Sequence, residues 1–313
     1  MTFMSEVSHS SRLISHDGQP RVTFSQAIDV IKARLRTGAD VPGATLEQQF
    51  DLVDKLAEFE LGRFLLLNRG LNAYWTHRLV THETGSFPPG AVSELERTVF
   101  DSMPAVLATR ERFDIFRREL QALLRPGIVV ASVPCGWMGD LLQLQYASCP
   151  DVTLLGVDLD QDALDGARAL AAERGLESRL SLHCTDAWSM NLTQAAHVLT
   201  SNGLNIYEPD DSRVIELYQR FFDVLKPGGR LVTSFLTPPP SLSDQSPWDM
   251  SAVSPVSLAM QHLLFVRVIE VKWSAFRTHA QTCEHLKRAG FTDIRFVDDR
   301  ARIFPTVIAR KPD

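Results

Sequence analysis

The chain has 313 residues, 44% hydrophobic and 22% charged, with 17 Gly and 17 Pro, a globular balance that excludes disordered, collagen-like and disulfide-scaffold classes. Its formal charge of -6 comes with no basic block, so neither nucleic acid nor a membrane is an expected partner, because phosphate binding needs clustered cations. Cys135, Cys149, Cys184 and Cys283 are scattered without a CxxC pair or a histidine at ligand spacing, which predicts reduced thiols, no metal site and a cytoplasmic protein.

Residues 1–20 are too polar for a signal peptide, and no later run approaches the roughly 18 apolar residues that span a bilayer. Phe24, Ala27, Ile28, Ile31 and Leu35 recur at three and four and predict a helix from Thr23 that ends before Gly38. Thr45-Leu46-Glu47-Gln48 reads as a capping box opening a second helix that buries Phe50, Val53 and Leu56. A third helix is expected over residues 64–80. After the FPPG turn, a fourth is expected over 92–100 and a fifth from Thr109, carrying Phe113, Phe116, Leu120 and Leu123. No segment before residue 125 reads as a strand.

From Pro126-Gly127 the pattern changes. Residues 128–133 (IVVASV) are a continuous apolar run bounded by turn residues, as expected of a strand buried on both faces. Residues 151–157, 179–183, 197–201 and 229–236 read as four more strands. Between them, 161–174 predicts a helix ending at Gly175, and 211–225 a helix stopped by Lys226-Pro227-Gly228-Gly229. This alternation predicts right-handed crossovers and a doubly wound parallel α/β sheet over 126–313, behind an all-helical N-terminal cap over 1–125. Residues 238–254 read as a long loop bordering the site.

In such a sheet ligands bind beyond the carboxyl ends of the strands, so the residues after each strand are the first candidates. The first strand leads into Pro134-Cys135-Gly136-Trp137-Met138-Gly139-Asp140, a turn whose small residues let backbone approach a ligand, and then into an apolar helix with Leu141, Leu142 and Leu144. Asp158 and Leu159 follow the second strand, the acid lying 22 residues beyond Gly136, where a ribose diol needs an acceptor. Asp186, Ala187 and Trp188 follow the third, an acid and a flat ring suited to adenine. Ser201, Asn202, Asn205 and Tyr207 follow the fourth, a polar cluster expected at the reacting atoms. The glycine turn lacks the GxGxxG of dinucleotide sites, which argues against a nicotinamide cofactor.

These turns, with Leu225-Lys226-Pro227-Gly228-Gly229 before the fifth strand and the closing Gly290-Phe291 and FPTVIA, resemble the class I S-adenosylmethionine-dependent methyltransferases over residues 126–310. The segment GRFLLLNRGLNAYWT is similar to that of a bacterial subgroup with a helical N-terminal extension. The resemblance implies a seven-stranded Rossmann-like sheet with S-adenosylmethionine as cofactor. Around the cofactor it places Pro134, Cys135, Gly136, Gly139, Asp158, Leu159, Asp186, Ala187, Trp188 and Ser201. It further implies methyl transfer to a small metabolite, as in secondary metabolism, and is compatible with a homodimer. The sequence departs from the family's opening motif in one respect: Ser132 and Pro134 replace its acid and first glycine, and its third glycine falls at Met138, with Gly139 one residue late.

In the extension, Asn72, Tyr74, Trp75 and Thr76 mix polar tips with flat faces, as a lid over a small molecule requires, and aromatic faces attract a sulfonium. Tyr74 joins Ser201, Asn202, Asn205 and Tyr207 as a candidate catalytic group. Trp137 serves equally as a packing aromatic or a cofactor contact. Arg63, Arg69, Arg78 and Arg277 are candidates for gripping a carboxylate. Cys135, with no cation or histidine before it, reads as a packing residue. His183 and His197 read as strand residues, and residues 208–211 as a helix start capped by Asp210 or Asp211. No general base stands out. Azetidine-2-carboxylate synthases resemble methyltransferases in fold, so the same site has an alternative use: the cofactor's own α-amine attacks its γ-carbon, closing a four-membered ring and releasing methylthioadenosine.

Overall fold

The computed structural model describes residues 13–16 and 22–313, so most of the stretch read as too polar for a signal peptide lies outside the described residues. Its centre is a seven-stranded sheet of β1 (Val129–Ser132), β2 (Thr153–Asp158), β3 (Leu180–Cys184), β4 (Ala196–Ser201), β5 (Leu225–Ser234), β6 (Thr292–Val297) and β7 (Thr306–Arg310). The order is β3-β2-β1-β4-β5-β7-β6, with the first five strands parallel and β7 antiparallel to both its neighbours. Strand order reverses between β1 and β4, which opens a crevice at their carboxyl ends.

The apolar runs are continuous because both faces of the sheet are covered. Val130 faces one layer with Phe116, Leu120, Leu164 and Leu170, while its neighbour Ala131 faces the other with Val214, Tyr218, Phe221 and Leu286. The helices of these layers are α6 (Pro104–Leu123), α7 (Gly139–Leu142), α8 (Gln161–Glu173), α9 (Asp211–Val224) and α11 (His279–Arg288). The apolar helix expected after Gly139 is one turn long, and β5 begins earlier than expected, at Leu225. There the chain pairs Leu225 with Ala196 as soon as α9 ends, and Gly228 at φ 71° takes up the irregularity in register.

Above the sheet lie α1 (Phe24–Gly38), α2 (Leu46–Leu56), α3 (Glu60–Asn68), α4 (Ala73–Thr81) and α5 (Glu94–Asp101). Thr23 and Thr45 both close full capping boxes. The single helix expected over 64–80 is two: Arg69 ends α3 in the left-handed region at φ 58°, and the Asn72 side chain accepts the Trp75 N–H to start α4. The helix expected from Thr109 starts at Pro104, whose missing N–H is no loss in a first turn.

One element was not foreseen. After the loop, α10 (Pro255–Gln261) runs into a π-helical stretch, His262–Ile269. Its buried Leu264, Phe265, Val268 and Ile269 share one core with Leu35, Val53, Leu56, Leu65 and Trp75. The cap is therefore built from two separate stretches of chain, and the later one follows the fifth strand. No helix among the described residues is long and apolar enough to cross a membrane.

Candidate functional site

A cavity of about 460 Å³ lies over the carboxyl ends of β1, β2 and β4 and extends to α4, α6 and the π-helical stretch. Its floor is the turn after β1. The Cys135 N–H donates to the Val157 carbonyl (2.8 Å), and Gly136, at φ 51°, donates its N–H to Asp158 Oδ2 (2.9 Å). Asp158 Oδ1 accepts from the Asp160 N–H (3.0 Å). Asp158 is 9% exposed, and burial pushes its carboxyl upward against these backbone hydrogen bonds.

Met138 takes the left-handed conformation (φ 53°) in the place of the family's third glycine, which costs an L-residue about 1 kcal/mol. Its sulfur and that of Cys135 fill the space beside Gly156 of β2, where an added Cβ would meet them at 2.8 and 3.1 Å. Burial pushes the Cys135 thiol up, so it stays protonated and serves as packing.

Leu159, Asp186, Ala187 and Trp188 form one wall, with Pro134 and Gly139 in the turn below. Asp186 Oδ1 accepts from the Trp188 N–H (3.0 Å), and the indole donates to the Arg213 carbonyl (2.8 Å), with the Arg213 guanidinium 4.9 Å from the ring centre. Trp137 lines the cavity and lies directly over Gly166 of α8.

Four expected site residues lie outside the lining. Ser201 is buried at the end of β4. Asn205 is structural: its Nδ2 donates to Tyr218 Oη (2.9 Å) and to the Ser234 carbonyl (2.8 Å), which ties the turn to α9 and β5. Trp75 is a core residue, and Tyr74 stands edge-on between Trp75 (4.9 Å) and Trp137 (5.5 Å), bracing the latter from behind. Their neighbours Asn72, Thr76, Asn202 and Tyr207 do line the cavity, and Asn202 Oδ1 is buried with no hydrogen-bond partner.

The four candidate arginines are also elsewhere, each engaged within the protein. Arg63 donates to the Ala57 carbonyl, Arg69 to Glu270 and Arg78 to Tyr74. Arg277 is held by Asp211 and by the carbonyls of Asn205 and Glu208. Two other arginines are in the lining: Arg213, over the Trp188 ring, and Arg112 of α6.

Sequence reasoning missed further lining residues: Asp140, His77, Phe265, Trp273 and Phe304. Asp140 had a signal, since it ends the glycine turn. It is 7% exposed, accepts from Thr200 Oγ1 (2.9 Å), and burial pushes it up to about 6. His77 packs on the Trp137 ring (5.1 Å between centroids), and burial lowers its pKa, so it is neutral at pH 7. At the rim, His16 Nε2 meets Asp160 Oδ2 at 3.3 Å.

Comparison with known proteins matches residues 130–229 to a methyltransferase domain family. The chain is 27% identical over 213 residues to nocamycin O-methyltransferase of Saccharothrix syringae, covering 63% of this chain and 72% of that protein. Among solved structures, a possible exported protein of Bordetella parapertussis is 59% identical with a TM-score of 0.89, covering 93% of this chain and 96% of that one. The S-adenosylmethionine-dependent methyltransferase SibL shares the fold at 16% identity and a TM-score of 0.53, over 92% of this chain and 70% of its own.

Proposed function

We propose that the chain, similar over residues 130–229 to a methyltransferase domain family, is a class I S-adenosylmethionine-dependent methyltransferase that transfers a methyl group to a small metabolite lodged between the sheet edge and the helical cap. The observation that carries this is the continuity of the cavity, which runs from Asp158 and Asp186 to Arg112, Trp273 and Phe304 without a partition. Cofactor and acceptor then share one continuous volume. The relative named for nocamycin methylation supports a secondary metabolite as acceptor.

The lining fits the cofactor. Asp158 has one backbone N–H on each oxygen, which leaves lone pairs for a ribose diol. Gly136 lets backbone come close, and Asp186 with Trp188 suits the edge and face of adenine. Asp140, with Asp158 one of two buried carboxylates in the described lining, is a partner for the α-ammonium. The cofactor supplies a sulfonium whose methyl carbon is open to in-line displacement. The protein's task is then alignment and exclusion of water. The unpartnered Asn202 Oδ1, and the Tyr207 hydroxyl, which also meets the Leu71 backbone, would orient an acceptor O–H or N–H. His77, held neutral by burial, is available to take up a proton.

The test is to incubate the full chain with S-adenosylmethionine, alone and with a pool of small metabolites, and to identify the thioether product by mass spectrometry. Adenosylhomocysteine that forms only with the pool is expected. Methylthioadenosine forming without it would replace transfer by ring closure.

A further inference from the structure

Arg112 is 4% exposed and lines the cavity. A guanidinium so deeply buried ordinarily rests on a carboxylate, because an unpaired buried charge is expensive. Arg277, 3% exposed, follows that rule, with Asp211 and two carbonyls around it. Arg112 does not. Its Nη1 reaches Ser234 Oγ over 3.4 Å, the limit of a hydrogen bond, and its Nε is buried with no partner. Its remaining support is the Phe304 ring, 4.6 Å from the guanidinium carbon.

The anion that acts on it through space, Asp299, is committed elsewhere: its carboxylate accepts the backbone N–H groups of Ala301, Ile303 and Phe304 at 3.1, 3.2 and 2.6 Å. Desolvation lowers the Arg112 pKa to about 10, which still leaves it cationic at pH 7. The lining it shares includes the apolar and aromatic Val106, Phe113, Phe265, Trp273 and Phe304, and Tyr207 is the polar lining residue that also acts on the guanidinium.

We propose that Arg112 determines acceptor specificity: the acceptor is an apolar molecule that carries a carboxylate, and this group completes the pairing of the buried guanidinium. The proposal deepens the methyltransferase reading and rests on it. An arginine fork matches a carboxylate through two parallel N–H donors. The cofactor's own carboxylate is the other source of such a group. Position favours the acceptor, since Arg112 stands against Ser234 at the end of β5 and Phe304 just before β7, across β4 from the Gly136 turn.

The experiment uses the full chain saturated with adenosylhomocysteine, with benzoate as probe and benzamide as its uncharged counterpart, each at about 10 mM. Benzoate is expected to raise the Tm of the wild type by about 2 °C or more beyond benzamide, and Arg112→Met to abolish the difference. Without probe, Arg112→Met should melt no lower than the wild type, since an unpaired charge has been replaced by an apolar chain. Calorimetry should find its affinity for adenosylhomocysteine within twofold of the parent. Equal shifts from benzoate and benzamide in the wild type, or a difference that survives in Arg112→Met, would overturn the proposal. A loss of adenosylhomocysteine affinity beyond tenfold in the variant would also overturn it, by giving the guanidinium to the cofactor, while the methyltransferase reading survives. A wild type that does not bind adenosylhomocysteine removes that reading and the proposal with it. Should Arg112→Met fail to fold, Arg112→Lys, which keeps the charge without the fork, is expected to bind benzoate about tenfold more weakly, and unchanged binding would count against the assignment.

Discussion

The two ends of the cavity are built differently. At the sheet end, each polar group sits within a few residues of a strand terminus and is fixed by backbone: Gly136 and Asp160 hold Asp158, and Trp188 holds Asp186. At the cap end, Arg112, Phe265, Trp273 and Phe304 come from a helix, a π-helical stretch and two loops far apart in sequence. On the proposed function, the first arrangement would keep a constant ligand in register, while the second would let the acceptor pocket vary without moving the turns that hold Asp158 and Asp186. Changes at one end should therefore leave the other largely intact.

The largest effect expected is on the cap. In Gly62→Ala the new Cβ would collide with the Leu56 carbonyl oxygen, where α2 and α3 meet. A backbone clash of this kind should cost about 3 kcal/mol or more of stability. Chemical denaturation measures it, and an unchanged midpoint would show that the two helices can separate freely.

Asp140 probes the sheet end through pH. Its folded-state pKa is raised from 3.8 to about 6 by burial, so the folded protein holds that proton more tightly than the unfolded chain does. Its contribution to stability is present at low pH and is lost as pH rises from about 4 to about 6, amounting to as much as about 3 kcal/mol. Asp140→Asn should match the wild type near pH 4 and exceed it in Tm at pH 7. Adenosylhomocysteine, by pairing its ammonium with the carboxylate, should shrink that advantage. A difference in Tm independent of pH would contradict the assignment.

How far the sequence could be read follows the same division. The strands, the glycine turn, Asp158, the helix start at Thr23 and the capping box at Thr45 rest on local patterns, which is why they were visible. Tyr74 and Trp75 misled because composition does not tell a lid from a core, and the α4 face bearing Trp75 turns into the cap. Asn205 misled because its distant partners, Tyr218 and Ser234, claim its side chain. Arg112 sits among other arginines on α6, and only tertiary contacts show which of them is buried. Residues 255–273 read as nothing definite, because their apolar face is satisfied by helices two hundred residues earlier.

A smaller effect is expected from Tyr207→Phe. It should lower turnover about tenfold, because a hydroxyl that orients the acceptor matters most as the reacting atoms approach in line. Turnover within twofold of the parent, with an unchanged Tm, would remove Tyr207 from the reacting centre. The smallest is Lys32→Ala. Its ion pair with Asp54 (2.6 Å) links α1 to α2 at the surface, and losing it should cost no more than about 0.5 kcal/mol. A larger loss would mean that charge as well as apolar packing holds the cap.

The most direct test of the division between the two ends is a calorimetric titration of adenosylhomocysteine into Asp158→Ala and Tyr207→Phe. The ribose acid should account for about 1.5 to 3 kcal/mol of binding, at least a tenfold loss of affinity in Asp158→Ala. Tyr207→Phe should bind within twofold of the wild type. If Asp158→Ala stays within twofold, or if both variants lose affinity together, the cavity does not divide into a cofactor end and an acceptor end.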